Sequence, residues 1–205
     1  MDRITSLQKL VYATHFASQK HSCQRRKDVK KTPYINHPIE VFYFLSKHGV
    51  VDTDILCSAL LHDTIEDTDT TKDELVEHFG KRVSDIVLEC SDDKSLGKME
   101  RKKLQAEHAL HASIPARLVK LADKWSNVST LLTSPPSLWT PEIIHGYVVW
   151  SRFVCTNACM FKMDDLTDHE KLVFDSIWKD MDELFNKFGV DSVNQAELQE
   201  YYKLL

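Results

Sequence analysis

The chain has 205 residues, of which 42% are hydrophobic and 28% are charged, and these values are typical of one globular domain. Its net charge of −5 argues against a nucleic-acid partner, and no apolar run approaches the roughly 20 residues that a membrane-spanning helix needs. The five cysteines include no C-x-x-C pair, which favours reduced thiols in a cytoplasmic protein.

Helical patterns follow one another from the N terminus, and the 5 glycines and 6 prolines are few for a fold built on tight turns. Apolar residues at helical spacing predict a first helix over 3–21. The segment "NHPIEVFYFLSKHG" predicts a second helix with Asn36 or His37 as its N-cap. The segment "DTDILCSALLHDTIED" predicts a third helix, which starts at Asp52 or Thr53 and continues through the acidic residues at its end.

The rest of the chain continues the same pattern, and no alternating run predicts a strand. Further helices are predicted over 71–80, 82–90, 96–111, 114–132, 140–154 and 168–188, with a short one from 192. The sequence therefore predicts an all-α domain of about eight to ten helices over residues 1–190. Residues 191–205 are interpreted as a C-terminal extension whose role is open.

The motif "ALLHDTIEDT" at 59–68 places four ionisable side chains directly after an apolar run. On a continuous helix His62 stacks on Glu66, and Asp63 stacks on Asp67. A metal bound by the first two residues would then have two carboxylates about 5.4 Å further along the axis, a spacing that suits action on water. The alternative is an acidic helix C terminus, which the helix dipole disfavours, and the spacing alone leaves both open.

Two further polar side chains stand at positions where metal ligands are plausible. His37 follows the proline-containing entry "TPYINHPIEV", and Asp123 interrupts the apolar face of "ARLVKLADKWSN". A carboxylate on an apolar face is costly unless it is solvated, paired or metal-bound. The ordinary alternatives are a capping role for His37 and an ion pair of Asp123 with Lys120 or Lys124. Together with the histidine and aspartate of the acidic motif, these residues would suit Mn²⁺, Fe²⁺ or Zn²⁺ in a catalytic site.

Several longer motifs resemble those of a known family. The order of His37, His62-Asp63 and Asp123 is similar to that of the HD superfamily of metal-dependent phosphohydrolases. More narrowly, the chain over about residues 5–190 resembles the hydrolase domain of the RelA/SpoT family, above all its small stand-alone animal members. The motifs that carry this resemblance are "RRKD", "TPYINHPIEV", "ALLHDTIEDTDTT", "DDKSLGKMERKKLQ" and "VKLADKWSN".

The resemblance implies one bound Mn²⁺, with Zn²⁺ or Fe²⁺ as alternatives. The implied metal ligands are His37, His62, Asp63 and Asp123. Glu66 and Asp67 would position and deprotonate the attacking water. The implied reaction is hydrolysis of guanosine 3′,5′-bis(diphosphate), ppGpp, to GDP and pyrophosphate. The alternatives are removal of the 2′-phosphate of NADPH and nucleotide binding with little or no catalysis.

Basic residues cluster at 20–31 and at 94–103 in this otherwise acidic chain, which favours a small anionic nucleotide as substrate. By resemblance the substrate-binding residues would be Arg26, Lys27, Tyr34, Asn127, Lys98, Trp139 and Tyr147. The ordinary alternatives are a solvated basic face for the cations and core packing for the aromatic residues. Ser129 and Ile143 stand where relatives carry basic residues, which predicts weaker phosphate binding or a shifted preference. The sequence leaves the oligomeric state open.

Overall fold

The computed structural model describes residues 5–162 and 166–205, and within these ranges it contains ten helices of eight or more residues. A single four-residue helical turn adds to them, and all are numbered together in chain order. They are α1 (Ser6–Lys20), α2 (Asn36–Lys47), α3 (Thr53–Leu61), α4 (Thr64–Asp67), α5 (Lys72–Phe79), α6 (Lys81–Cys90), α7 (Lys98–Ala109), α8 (Ile114–Leu131), α9 (Pro141–Ala158), α10 (Asp168–Asn186) and α11 (Gln195–Lys203). Outside these helices, the described residues form two isolated β-bridges and no sheet. The predicted all-α class and helix number are confirmed.

The second helix starts slightly earlier than the sequence predicts. Asn36 and His37 both lie inside α2, and its N-cap is Ile35, which makes no capping hydrogen bond through its side chain. The reason is a turn that precedes the helix, in which the His37 N–H donates to the Tyr34 carbonyl at 3.0 Å. The chain thus enters α2 already hydrogen-bonded, and the side chain of His37 is free to point inward.

The third predicted helix breaks inside the acidic motif. α3 ends at Leu61, and α4 begins at Thr64 after a turn at His62 and Asp63, whose backbone angles stay in the right-handed helical region. The Thr64 hydroxyl donates to the Leu61 carbonyl at 2.7 Å, and His62 Nδ1 lies 2.8 Å from the Ala59 carbonyl. These side chains take carbonyls that a continuous helix would use, which is how such bonds interrupt helices. The Asp67 N–H still donates to the Asp63 carbonyl at 2.8 Å, as in a helix, so these two residues stay one turn apart. The stacking of Glu66 on His62 stays a prediction.

Two hydrophobic clusters meet at the centre of the described fold. One joins α1, α3, α5 and α6, and the larger one joins α2 with α8, α9, α10 and α11. Helix α8 packs against α2, α3, α6, α9 and α10, so its residues lie at the junction of the two clusters. The stacked rings of Phe44 and Trp125, with centroids 4.2 Å apart, fix α8 against α2. This packing determines where the polar face of α8 lies.

The C-terminal helix belongs to the larger core. Leu198, Tyr201 and Tyr202 of α11 are buried, and the helix packs on α9. The approach is close at Gly146, where an added Cβ would lie 2.5 Å from Tyr201 Cδ2. The domain boundary near residue 190 remains a prediction, but the segment that follows it is packed against α9. Among the helices described, none is long and apolar enough to cross a membrane.

Candidate metal centre and nucleotide cleft

Three parts of the fold bring the four predicted metal ligands together. His37 comes from α2, His62 and Asp63 come from the α3–α4 junction, and Asp123 comes from α8. His37 Nε2 lies 3.1 Å from Asp123 Oδ1 and 3.5 Å from Asp63 Oδ2. His62 Nε2 lies 3.2 Å from Asp63 Oδ2 and 3.8 Å from Asp123 Oδ1. The ligand atoms of His37, His62 and Asp123 fall within 4.8 Å of one another, a grouping that could hold a divalent metal.

Hydrogen bonds behind the two imidazoles orient them for a metal. Ser126 Oγ donates to Glu40 Oε2 at 2.7 Å, so it accepts from Nδ1 of His37, which lies 2.9 Å away. His62 Nδ1 lies 2.8 Å from the Ala59 carbonyl, which can only accept. Both rings therefore direct Nε2 towards the centre, which is the orientation that metal-binding histidines adopt. Within the described residues His62 Nε2 is buried without a hydrogen-bond partner, and a metal ion would satisfy it.

The charges of this centre favour a cation. Burial opposes ionisation of Asp123, but the Lys124 ammonium and the neighbouring imidazoles hold its pKa well below the usual range. Burial likewise opposes ionisation of Asp63, but His62 and His37 lower its pKa. Burial disfavours the imidazolium of His62, yet the two carboxylates outweigh it and raise the His62 pKa well above its ordinary value. The carboxylates thus remain ionised and need a compensating positive charge, which a divalent cation would provide.

Glu66 and Asp67 lie on different cavities. Glu66 lines a small cavity of about 40 Å³ that the metal-ligand cluster also borders. The Asp92 N–H donates to Glu66 Oε2 at 3.1 Å, but burial and the nearby carboxylates raise the pKa of Glu66 to about 7. Asp67 borders a larger cleft and forms an ion pair with Lys94. Tyr34 joins the two regions, because its hydroxyl lies 2.7 Å from Asp63 Oδ2 and 3.1 Å from Asp67 Oδ2.

The larger cleft has a volume of about 550 Å³, which is within the usual range for small-molecule sites. Its lining includes six of the seven predicted substrate-binding residues, namely Arg26, Lys27, Tyr34, Asn127, Trp139 and Tyr147. Arg26 Nη2 donates to Asn127 Oδ1 at 2.9 Å, and Asn127 Nδ2 donates to Asp123 Oδ1 at 2.6 Å. A short hydrogen-bonded chain therefore links the basic wall of the cleft to the metal-ligand cluster.

The seventh predicted residue, Lys98, is the exposed first residue of α7 and is not among the residues that line the cleft. Lys102, one turn further along α7, does line it, and its Nζ lies 3.4 Å from the centroid of the Trp150 ring. The sequence places both lysines on one face of a helix, and only the packing of α7 on Trp150 determines which reaches the cleft. Ser129 and Ile143 also lie outside the cleft lining.

Comparison with known proteins agrees with this geometry. A family model described as "HD domain" matches residues 13–141, a span that contains all four predicted metal ligands. The chain therefore belongs to the HD-domain family. It is 52% identical over 146 residues to guanosine-3′,5′-bis(diphosphate) 3′-pyrophosphohydrolase MESH1 of Xenopus tropicalis, with 71% of this chain and 82% of the relative covered. The Homo sapiens protein of the same name is 50% identical over 147 residues, with the same shares covered.

A bacterial relative and a solved structure extend the comparison. The guanosine-3′,5′-bis(diphosphate) 3′-pyrophosphohydrolase of Aquifex aeolicus is 32% identical over 208 residues, which cover 92% of this chain and 29% of that longer protein. The structure of a metazoan ortholog of SpoT that hydrolyses ppGpp matches with a TM-score of 0.73 and 40% identity. That match covers 83% of this chain and 94% of the other. The resemblance to RelA/SpoT hydrolases and their stand-alone animal members is confirmed.

Proposed function

We propose that the protein hydrolyses ppGpp at its 3′ side to GDP and pyrophosphate, with one divalent cation bound by His37, His62, Asp63 and Asp123. One observation carries the proposal, namely the cluster of two imidazoles and two carboxylates beside a basic cleft of nucleotide size. Relatives that are about half identical to this chain are named for the same reaction.

The ligand set favours a particular class of ion. Imidazole nitrogens and carboxylate oxygens without thiolates suit Mn²⁺, and also Fe²⁺ and Zn²⁺. Mn²⁺ is our first choice because the family resemblance implies it. Such a cation, when bound, polarises a phosphoryl oxygen and lowers the pKa of water.

Glu66 is the base in this proposal. Its carboxyl group borders the metal-ligand cluster, and its pKa of about 7 is well matched to accepting a proton near neutral pH. The water oxygen bonds to the phosphorus that carries the 3′ oxygen, and Glu66 takes the proton released from the water. The bond from that phosphorus to the 3′ oxygen breaks, and the 3′ oxygen takes up a proton from solvent. Asp67 faces the cleft, where it accepts a hydrogen bond from Tyr34, and these two residues help to position the substrate.

The cleft provides the groups that a guanine nucleotide with two diphosphates needs. Arg26 and Lys27 supply positive charge for the phosphates, in a chain that is acidic overall. Trp139 and Tyr147, whose ring centroids are 5.0 Å apart, supply apolar faces for the base and ribose. This combination of cations and aromatic faces favours a nucleotide over an unsubstituted phosphate ester.

We also propose a cytoplasmic location with a small nucleotide, rather than a nucleic acid, as the partner. The five cysteines are free thiols, and burial raises the pKa of Cys57 and of Cys159 to about 12. Thiols held in the protonated form are poor nucleophiles, so packing is the role we assign to these two residues.

Product analysis tests the proposal. The purified protein is stripped with a chelator, reloaded with Mn²⁺ and incubated with ppGpp, with NADPH in a parallel reaction. We expect GDP and pyrophosphate in equal amounts in the reloaded sample and none in the stripped one. Orthophosphate from NADPH without turnover of ppGpp would contradict the substrate assignment but keep the phosphohydrolase class. No reaction with either compound, in a protein that has bound the ion, would contradict catalysis itself.

A further inference from the structure

The small cavity beside the metal-ligand cluster gathers buried polar atoms that lack partners. Five such side-chain atoms occur within the described residues, and two of them belong to residues that line this cavity. One is His62 Nε2, which faces the proposed metal position, and the other is Gln105 Oε1, which the metal site does not account for. A third, Nε of Arg101, belongs to the guanidinium whose Nη1 lies 3.8 Å from Glu66 Oε1. Buried polar atoms are normally hydrogen-bonded, so this concentration indicates that the cavity has a polar occupant.

Gln105 is held in one orientation by Asp92. Its Nε2 lies 2.9 Å from both carboxylate oxygens of Asp92, which can only accept hydrogen bonds. The amide nitrogen must therefore face Asp92, and Oε1 must face the other way. The Asp92 backbone N–H also holds Glu66, at 3.1 Å from Oε2. One residue thus fixes both the amide of Gln105 and the carboxylate of Glu66.

The size and the chemistry of the cavity identify its occupant. Its volume of about 40 Å³ is enough for water, since one molecule needs about 10–15 Å³ of such space. Gln105 Oε1 and the Glu66 carboxylate are both acceptors, so the occupant has to donate. Lys120 and Lys124 also line the cavity, but Lys124 is paired with Asp123 at 2.7 Å, and an anion would face the three carboxylates of Asp63, Glu66 and Asp123. Water satisfies both acceptors and meets no such repulsion.

The cavity and the nucleotide cleft are separate, and each is bordered by different members of the metal-ligand cluster. His37 lines the cleft, whereas His62, Asp63 and Asp123 line the small cavity, and the two linings have no described residue in common. Phosphoryl transfer places the attacking and the leaving oxygen roughly in line on opposite sides of the phosphorus. A separate cavity for water fits that requirement.

We propose that Gln105 holds the attacking water in the small cavity together with Glu66. The inference rests on the proposed function, since it assigns a position to the nucleophile of that reaction. The water donates one hydrogen bond to Gln105 Oε1 and the other to Glu66, which leaves an oxygen lone pair for the phosphorus. On attack Glu66 takes the proton, the new bond from phosphorus to oxygen forms, and the bond to the 3′ oxygen breaks. Gln105 gains no proton and acts only by position.

The kinetic test uses Gln105→Met, which removes the acceptor and keeps a side chain of similar length. We expect kcat to fall about 10- to 100-fold, the range usual for groups that orient a metal site. The KM should stay within about twofold because Gln105 does not line the cleft, and the bound metal should remain at the wild-type level. The control is Glu107→Met at an exposed position of α7, which should leave both constants within about twofold. Unchanged kcat, or a raised KM alone, would overturn the proposal.

A second measurement does not depend on activity. A high-resolution crystal structure of the metal-loaded protein should contain an ordered water within about 3.2 Å of both Gln105 Oε1 and the Glu66 carboxylate. The same structure of Gln105→Met, or of Gln105→Leu if the first variant does not fold, should lack it. A wild-type cavity that holds no water, or holds an anion, would overturn the inference. If the wild type hydrolyses another phosphate ester instead of ppGpp, the ratio of kcat between Gln105→Met and the wild type is measured on that ester. The assignment of ppGpp as substrate can then fail while the role of Gln105 is still tested.

Discussion

At the scale of single residues, Glu66 and Asp67 of the acidic motif border two different cavities. Glu66 is buried beside the metal-ligand cluster, whereas Asp67 lies on the cleft and is paired with Lys94 and Tyr34. The ion pair and the hydrogen bond satisfy Asp67, while the Glu66 carboxylate lies nearer to the site of water activation. The two neighbouring residues therefore have different roles in our account.

The Glu66→Gln substitution tests the role of Glu66 as general base separately from metal binding. Since Glu66 is not among the grouped ligand atoms, the variant should retain its metal, but it cannot accept the proton from water. We expect kcat to fall about 10²- to 10⁴-fold, the usual contribution of a general base. Steady-state kinetics and metal analysis on the same preparation give both values, and Glu107→Gln on the exposed face of α7 is the matched control. Loss of the ion, or a normal rate, would contradict the assignment of Glu66 as base.

Residue types, their local context and the family resemblance led to the proposed metal-ligand set, but not to the residues that support it. His37, His62, Asp63 and Asp123 stood out because each is an ionisable group next to an apolar run. Ser126 and Gln105 are ordinary polar residues on amphipathic helices. Their roles depend on which residue of another helix lies opposite, and that information is absent from local spacing.

At the scale of helices, N-terminal caps and helical periodicity located most elements, because both are local properties. Asp52, Thr71 and Thr140 lie where the helices begin. The break between α3 and α4 was missed, because the apolar periodicity continues through it. It depends on the side chains of His62 and Thr64, whose hydrogen bonds to carbonyls compete with the helix. After this break Glu66 lies on the small cavity with His62 and Asp63, whereas Asp67 lies on the cleft.

The docking of α11 on α9 gives a test at the same scale. Gly146→Ala would place a Cβ 2.5 Å from Tyr201 Cδ2, closer than atoms can approach without movement. We expect the free energy of unfolding to fall by about 1–3 kcal/mol, as in other overpacked cores. This loss should occur although alanine favours helix by about 1 kcal/mol over glycine. Urea denaturation measures the change.

Gly97→Ala is the matched control for this substitution, because an added Cβ at Gly97 would meet nothing within 4 Å. It should change the free energy of unfolding by much less than Gly146→Ala does. Equal stability of the Gly146→Ala variant and the wild type would mean that α11 does not pack on α9 as described.

At the scale of the whole molecule, the charge is distributed unevenly. The chain carries a net charge of −5, yet Arg25, Arg26 and Lys27 all line the cleft. A local basic surface can attract an anionic nucleotide despite an unfavourable total charge. In our proposal these basic residues attract the phosphates, and the carboxylates of Asp63 and Asp123 hold the cation.

The measurement that tests the central claim most directly is a titration of metal-free protein with Mn²⁺, in which the rate of ppGpp hydrolysis is followed against bound ion. Our account predicts that the wild-type rate rises in proportion to bound Mn²⁺ and levels off at about one ion per chain, because one ligand cluster occurs within residues 5–162 and 166–205. Asp123→Asn should bind no stoichiometric ion and remain inactive. A full wild-type rate without the ion, or an Asp123→Asn variant that binds Mn²⁺ and turns over normally, would contradict the account.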